Sequence, residues 1–187
     1  MRELIYYVAV SLDGYIADPQ GGYEAFPTEG DHMSVVIEEF ADALPTHAHT
    51  ALGTTPPRTR LDTVVMGWNT LTPALEAGIT SPYSHLRQIV ASRKPRKTHS
   101  DITLTSEPLR TVRELKQEDG LDIWLCGGGE LAGLLLPEID RLVLKRNPVV
   151  FGSGIPLFGN AAYTARPFTH MGTRTFASGV AVEEYAS

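Results

Sequence analysis

The sequence predicts an α/β fold with a mainly parallel central sheet and an antiparallel edge hairpin at its C-terminus. Three observations lead there. Short apolar runs alternate with segments of helical period over most of the chain, the pattern of strand–helix–strand units. Glycines repeatedly close a strand and open the segment that follows. The last two apolar runs flank a Ser178-Gly179 turn with no helix between them, which suits a closing hairpin.

Leu4 to Val10, rich in Ile, Tyr and Val, reads as a buried first strand ended by Asp13-Gly14. Polar turn chemistry follows through Asp18, Pro19, Gly21 and Gly22. From Asp31 to Leu44 the apolar positions Met33, Val36, Ile37, Phe40, Ala41 and Leu44 recur at helical spacing, which predicts a helix with Asp31 as N-cap and Pro45 as stop. His47 to Arg60 has no period and two prolines, so a long surface loop is expected. Thr63 to Met66 is the next strand, closed by Gly67, and Thr72-Pro73 offers an N-cap and a first-turn proline for a short helix toward Gly78. His85 to Ser92 reads as a strand leading into the basic run Arg93, Lys94, Arg96 and Lys97, and Ile102 to Thr105 as another. Leu109, Val112 and Leu115 share one face of a helix that ends before Gly120. Asp122 to Cys126 is a strand running into Gly127, Gly128 and Gly129; Glu130 to Leu136 is a helix stopped by Pro137. Arg141 to Arg146 is a later strand, and Phe168 to Thr175 with Val180 to Glu184 form the hairpin.

A length of 187 residues favours one domain over 1–187. With 42% hydrophobic and 20% charged residues, disorder, collagen and coiled coil are poor readings. The formal net charge of −6 argues against a nucleic-acid-binding surface, so any bound anion must be small and locally neutralised. The lone Cys126 has no partner for an internal disulfide, which points to a reducing, cytoplasmic compartment. The first apolar run lacks a cleavage signal, and no segment approaches the roughly 18 apolar residues of a membrane span. His47 and His49 lie two apart with no third ligand nearby, so no metal site is expected. His32, His85, His99 and His170 are scattered and suit surface or capping roles, and Trp124 and Phe151 suit the core.

Three loops each follow a strand, and in open α/β sheets ligands bind at the carboxyl ends of strands. In DIWLCGGGELAG, three glycines between a strand and a helix leave amide N–H groups free at a helix N-terminus, where the dipole favours a phosphate. The same glycines would equally serve a tight helix–strand packing turn. This is neither a GxGxxG fingerprint nor a Walker motif. In VVMGWNTL, Gly67 ends a strand, and Asn69 and Thr70 supply polar groups. In IVASRKPRK, Ser92 beside Arg93 and Lys94 has the chemistry to hold a phosphate monoester, although an isolated basic run is more often a solvated edge.

Taken in order, these loops and the opening VAVSLDGYIA resemble the dihydrofolate reductase-like family, most closely its branch with the C-terminal reductase domain of the riboflavin-biosynthesis deaminase/reductase. VVMGWNT is similar to that family's V-x-G-R-x-T, IVASRKP to its I-I-L-S-S segment, WLCGGGEL to its glycine loop, and the likeness extends through EIDRLVLKRNPVVFGSGIPLF. The resemblance implies a three-layer dihydrofolate reductase-like fold and an NADPH site over the strand ends. Ala9 and Ile16 would hold the nicotinamide carboxamide through their backbone. Gly67, Trp68, Asn69 and Thr70 would line the pyrophosphate and adenosine. Ser92, Arg93 and Lys94 would meet the ribose 2′-phosphate, and Gly127, Gly128, Gly129, Glu130 and Leu131 the pyrophosphate from the other side. Trp68 stands where the family usually has Arg. Losing a charged hydrogen bond to phosphate forfeits about 1.5–3 kcal/mol, which blurs NADPH over NADH unless Arg93 and Lys94 compensate.

Relatives that reduce folate carry a carboxylate on the first long helix. On the expected Asp31 to Leu44 helix the inward centre falls near Met33, Ile37 and Phe40, with Glu38 and Glu39 flanking and Asp42 pointing away, so no carboxylate faces squarely inward. Asp13 is another catalytic candidate, placed near the nicotinamide by the same likeness; an Asx-type turn at the strand end is its competing role. The expectation is a reductase moving hydride to a small carbonyl, imine or heterocyclic substrate bound against Ile37 and Phe40, in a homodimer formed through the late strands. A true dihydrofolate reductase and a non-catalytic NADPH-binding module remain as alternatives.

Overall fold

The computed structural model describes residues 1–187. Eight strands form one sheet in the order β5-β4-β3-β6-β1-β7-β10-β9. The strands β1 (Leu4–Val10), β3 (Leu61–Gly67), β4 (Arg87–Ala91), β5 (Ile102–Thr105), β6 (Asp122–Gly127) and β7 (Arg141–Arg146) pair in parallel. The hairpin strands β9 (Thr169–Thr175) and β10 (Ala181–Ala186) close the sheet antiparallel to β7. This is the mainly parallel α/β sheet with an antiparallel edge that the alternation of elements predicts.

The pleat sends alternate side chains of each strand to opposite faces. Leu4, Tyr6, Leu125, Leu142 and Leu144 pack on one face with Val112, Leu115, Leu131 and Leu135 of α3 (Pro108–Gln117) and α4 (Gly129–Leu135). Ile5, Tyr7, Trp124 and Val143 pack on the other face with Leu71 of α2 (Trp68–Glu76) and with Val35 and Phe40. The result is three layers. A second, two-stranded sheet pairs β2 (Tyr15–Ala17) with β8 (Ile155–Pro156), elements too short to show a period. Gly154 lets the chain pass there, because a Cβ would collide with the Ala17 carbonyl oxygen. No helix is long and apolar enough to cross a membrane.

The expected helix over Asp31–Leu44 is not continuous. A wide π-type turn over Val35–Glu39, closed by Phe40 N–H donating to the Val35 carbonyl at 3.1 Å, gives way to a 3₁₀ turn over Ala41–Ala43. The changed residues-per-turn rotates the faces away from the 3.6-residue expectation. Val35, Val36 and Phe40 are buried, Ile37 is 45% exposed, and Asp42, expected outward, is 1% exposed. Its carboxylate accepts the main-chain N–H groups of Arg58, Thr59, Arg60 and Leu61 at 2.6–3.1 Å and so pins the entry to β3. Asp31 does not cap a helix either: it accepts from the Ala177 and Ser178 amides and caps the β9–β10 turn. His32 beside it is buried rather than superficial, its Nδ1 3.0 Å from Ser178 Oγ.

Two boundaries differ further along. Thr46–Leu52 is a helix, α1, within the segment expected to be loop, ended by Gly53 in the left-handed conformation. Its buried face is carried by His49, whose Nε2–H donates to the Ala41 carbonyl at 2.9 Å and whose Nδ1 accepts from the Thr54 hydroxyl. The helix α2 begins at Trp68, so Pro73 lies inside it, and Thr72 Oγ1 donates back to the Trp68 carbonyl rather than capping a start.

Candidate functional site

Parallel pairing brings the C-terminal ends of β1, β3, β4, β6 and β7 to one side of the sheet. There the first two glycine loops touch. A Cβ built on Gly67 would lie 3.7 Å from both the Gly127 carbonyl oxygen and the Gly128 amide nitrogen, and one on Gly128 would lie 3.6 Å from Thr70 Oγ1. The three consecutive glycines sit in three different surroundings. Gly127 has φ +114, open only to a residue without a side chain, and its peptide to Gly128 is cis. Gly128 keeps clear the space facing Thr70. Gly129 is a packing glycine: a Cβ there would collide with the Pro156 carbonyl and sit 2.9 Å from the Gly159 amide. Beyond them, the Glu130 carboxylate accepts from the Asn160 side-chain and main-chain N–H groups, and Leu131 is buried in the core.

The third loop reaches the second through an aromatic contact. The Arg96 guanidinium lies 4.6 Å from the Trp68 ring centroid. Arg93 and Lys94 are exposed and carry no ion pair, while Ser92 Oγ donates to the Lys94 carbonyl at 2.8 Å and shapes the turn. Asn69 is exposed in the first turn of the helix that starts at Trp68, and Ala9 and Ile16 lie half-buried at and beyond the end of β1.

Asp13 is engaged as an acceptor. Its carboxylate takes the Ser11 hydroxyl at 2.6 Å and the Phe151 and Gly152 amides at 3.1 and 2.7 Å, tying the end of β1 to the 148–153 segment. The Ser11 hydroxyl first, and the two amides after it, hold the carboxyl at about 2. A group so acidic stays ionised and is a poor proton donor near neutrality.

On the face carrying Tyr7, Phe40 stacks on the Tyr7 ring with centroids 4.0 Å apart, and the Arg60 guanidinium lies 4.0 Å from the Phe40 centroid. Ile37 is on the outer side of the same turn. Glu39, the edge carboxylate, is paired with Arg174, which also meets Glu184 at 3.3 Å. Burial pushes the Cys126 thiol up to about 12, leaving it a poor nucleophile.

Three polar groups on the last part of this edge are not evident from the sequence. Tyr7, 8% exposed, leaves its hydroxyl without a hydrogen-bond partner, and Asn147, fully buried, does the same with Oδ1. Lys145 stands between them in the sheet, opposite Ala9 on β1 and Val182 on β10. The one available signal was a lysine two positions after the buried Val143, and so on its face of the strand, in LVLK.

The RibD C-terminal domain model matches residues 2–182. The chain belongs to that family. Two curated Bacillus subtilis proteins, both described as uncharacterised, are similar over most of their length. YwjB is 32% identical over 164 residues, covering 84% of this chain and 83% of its own length, and YyaP is 28% identical over 195 aligned positions, covering 96% and 92%. Among solved structures, a putative riboflavin biosynthesis protein from Shewanella sp. PV-4 superposes with TM-score 0.71 at 24% identity over 98% of both chains. A Thermotoga maritima diaminohydroxyphosphoribosylaminopyrimidine deaminase/5-amino-6-(5-phosphoribosylamino)uracil reductase gives TM-score 0.67 at 15% identity, this chain covering 56% of it. Enterococcus faecalis dihydrofolate reductase, complexed with NADP(H) and RAB-propyl, gives 0.64 at 15% over 98% and 95% of the two chains. The dihydrofolate reductase-like fold is thus common to all three.

Proposed function

We propose that this chain is an NADPH-dependent reductase that delivers hydride to a small carbonyl, imine or heterocyclic substrate. The observation that carries the reading is the meeting of the loops at Gly67 and Gly127–Gly128, where a side chain on either loop would enter the gap. A surface kept free of side chains at strand ends is what a pyrophosphate needs in order to approach main-chain N–H groups. The residues present fit the cofactor. Gly67, Trp68, Asn69 and Thr70 would line one side of the diphosphate and the adenosine, and the amides of Gly127 to Leu131 the other, with Gly129 and Leu131 contributing backbone only. Ser92, Arg93 and Lys94 would meet the 2′-phosphate, joined by Arg96 through its seat on Trp68. The backbones of Ala9 and Ile16 would orient the carboxamide. When bound, the cofactor supplies the hydride, and the protein contributes position and exclusion of water.

In this reading the substrate lies between the end of β1 and the Val35–Ala43 turns, with Ile37 at its mouth; Phe40, expected from the sequence to touch it, is fully buried against Tyr7 and Arg60 and supports the wall from behind. Asp13, proposed from the sequence as a catalytic group, holds the 148–153 segment in place as a permanent anion. The family match and the NADP(H) complex of the Enterococcus faecalis neighbour support the cofactor assignment. A cytoplasmic location, where Cys126 stays a thiol, belongs to the same proposal. So does a homodimer through the β9–β10 edge, and gel filtration at a monomer volume would refute it. The direct test of the function is titration of the protein with NADPH, followed by a panel of aldehydes, imines and pterins. Saturable binding with oxidation of the cofactor by at least one acceptor is expected. Binding without turnover across the panel would instead indicate a nucleotide sensor.

A further inference from the structure

Only two buried side-chain polar atoms in the chain lack a partner, the Tyr7 hydroxyl and Asn147 Oδ1, and both flank Lys145. Tyr7 pairs with Val143, so it is the diagonal neighbour of Lys145 across the β1–β7 ladder, on the same face of the sheet. Asn147 follows two residues later, and its Nδ2–H donates to the Lys145 carbonyl at 2.8 Å. The Lys145 ammonium itself has no ion pair and no hydrogen bond. The row Ala9, Lys145, Val182, Arg174 crosses β1, β7, β10 and β9 on this face. Its other charges are committed elsewhere: Arg174 to Glu39 and Glu184, while Arg146 and Glu183 pair on the opposite face. A cavity of about 260 Å³ opens over the far end of the row, on β9 and β10, bordered by Met171, Thr173, Arg174, Val182 and Glu184 and not by Lys145.

Two buried polar atoms without partners are costly, since buried polar groups are almost always bonded, and both belong to residues within two strand positions of Lys145, a half-buried cation with no partner of its own. Their place is informative as well. Lys145 is directly opposite Ala9, so it borders the nicotinamide end of the proposed cofactor site. Resting on the reductase reading above, we propose that Lys145 is the substrate-recognising cation of the site, its ammonium holding an anionic oxygen of the substrate, a carboxylate or an ionised ring hydroxyl. The Tyr7 hydroxyl and Asn147 Oδ1 are closed off from solvent and are not among the groups the substrate touches. Burial also pushes the Lys145 ammonium below the usual lysine range, and no carboxylate offsets it. An isolated cation of this kind, at the C-terminal end of a parallel strand, is more typical of a functional group than of a structural ion pair.

The chain has four lysines, Lys94, Lys97, Lys116 and Lys145, so their side-chain NMR signals can be assigned by single substitution. The test follows those signals in wild type and in Lys145→Met while adding benzoate, 4-nitrophenolate at mildly alkaline pH, or neutral benzamide. The signal lost in Lys145→Met should titrate below the other three and shift with one or both anions but not with benzamide. The variant should melt no lower than wild type and bind the anions at least roughly tenfold more weakly. Benzoate alone identifies a carboxylate, and nitrophenolate alone a ring hydroxyl. A Lys145 signal that titrates with Lys94 and Lys97 and ignores both anions, or undiminished anion binding by the variant, overturns the proposal. Because these readouts need no cofactor, failure of wild type to bind NADPH would sink the reductase reading without touching them.

Discussion

Arg96 lays its guanidinium over the Trp68 indole, 4.6 Å from the ring centroid, and so joins the loop after β4 to the first turn of α2. The contact reframes the substitution of Trp for the Arg usual in the resembled motif. A positive charge is still present at that point, supplied from the neighbouring loop and held by a cation–π contact worth about 0.5–1 kcal/mol at an exposed site. The aromatic ring then serves as a platform as well as a wall.

Cofactor selectivity follows from this arrangement. Arg93→Ala should weaken NADPH by about 1.5–3 kcal/mol, roughly tenfold or more, and NADH little, because only NADPH carries the 2′-phosphate. Arg96→Ala should likewise weaken NADPH more than NADH, and should alter the quenching of Trp68 by the bound cofactor. Fluorescence titration with each cofactor checks both variants, and equal losses in Arg93→Ala would remove Arg93 from the 2′-phosphate role.

The buried polar cluster under α1 makes stability fall with acid. His85 Nε2–H donates to the Asp42 carbonyl at 2.9 Å, Nδ1 accepts from the Thr46 hydroxyl, and the His49 ring lies 5.6 Å away. Burial is the main reason that the imidazole is held below 6.5. The unfolded chain therefore binds a proton more readily than the folded one, so stability is lost as pH drops through about 6.5 toward the depressed native value. Urea melts across that interval should show the loss in wild type and a flatter profile in His85→Gln.

Asp42 should be a stability residue and nothing else. Its four main-chain donors fix the start of β3, at the end of the strand opposite Gly67. Asp42→Asn should cost about 3 kcal/mol by weakening charge-assisted bonds and leaving a donor unmatched, or roughly 6–12 °C in Tm for a chain of this size. NADPH affinity of the folded variant should not change, and calorimetric melting beside a binding titration separates the two effects.

The strands that carry the site were legible because apolar runs ended at glycines, and β7 is read from the sequence to the residue. The segment from Asp31 to Leu52 was not, because its conformation answers to partners distant in sequence. Asp31 caps amides near residue 177, and Asp42 needs the 58–61 main chain. No local period reveals such demands, and Pro45 and the histidines hide α1. The cofactor loops were visible as motifs, whereas the seat of Arg96 on Trp68 and the isolation of Lys145 depend on strand register and on loop paths that no spacing encodes. The packing duty of Gly129 likewise becomes visible only with Pro156 against it.

That division among the glycines supplies the most direct test. Gly129→Ala should lower Tm because its Cβ meets the Pro156 carbonyl, whereas Gly128→Ala meets only ordinary contact with Thr70 and should melt like wild type. Calorimetric titration with NADPH should give one site per chain in wild type and binding at least roughly tenfold weaker in folded Gly128→Ala. Wild type without affinity for NADPH, or Gly128→Ala binding it as tightly as wild type, would contradict the account.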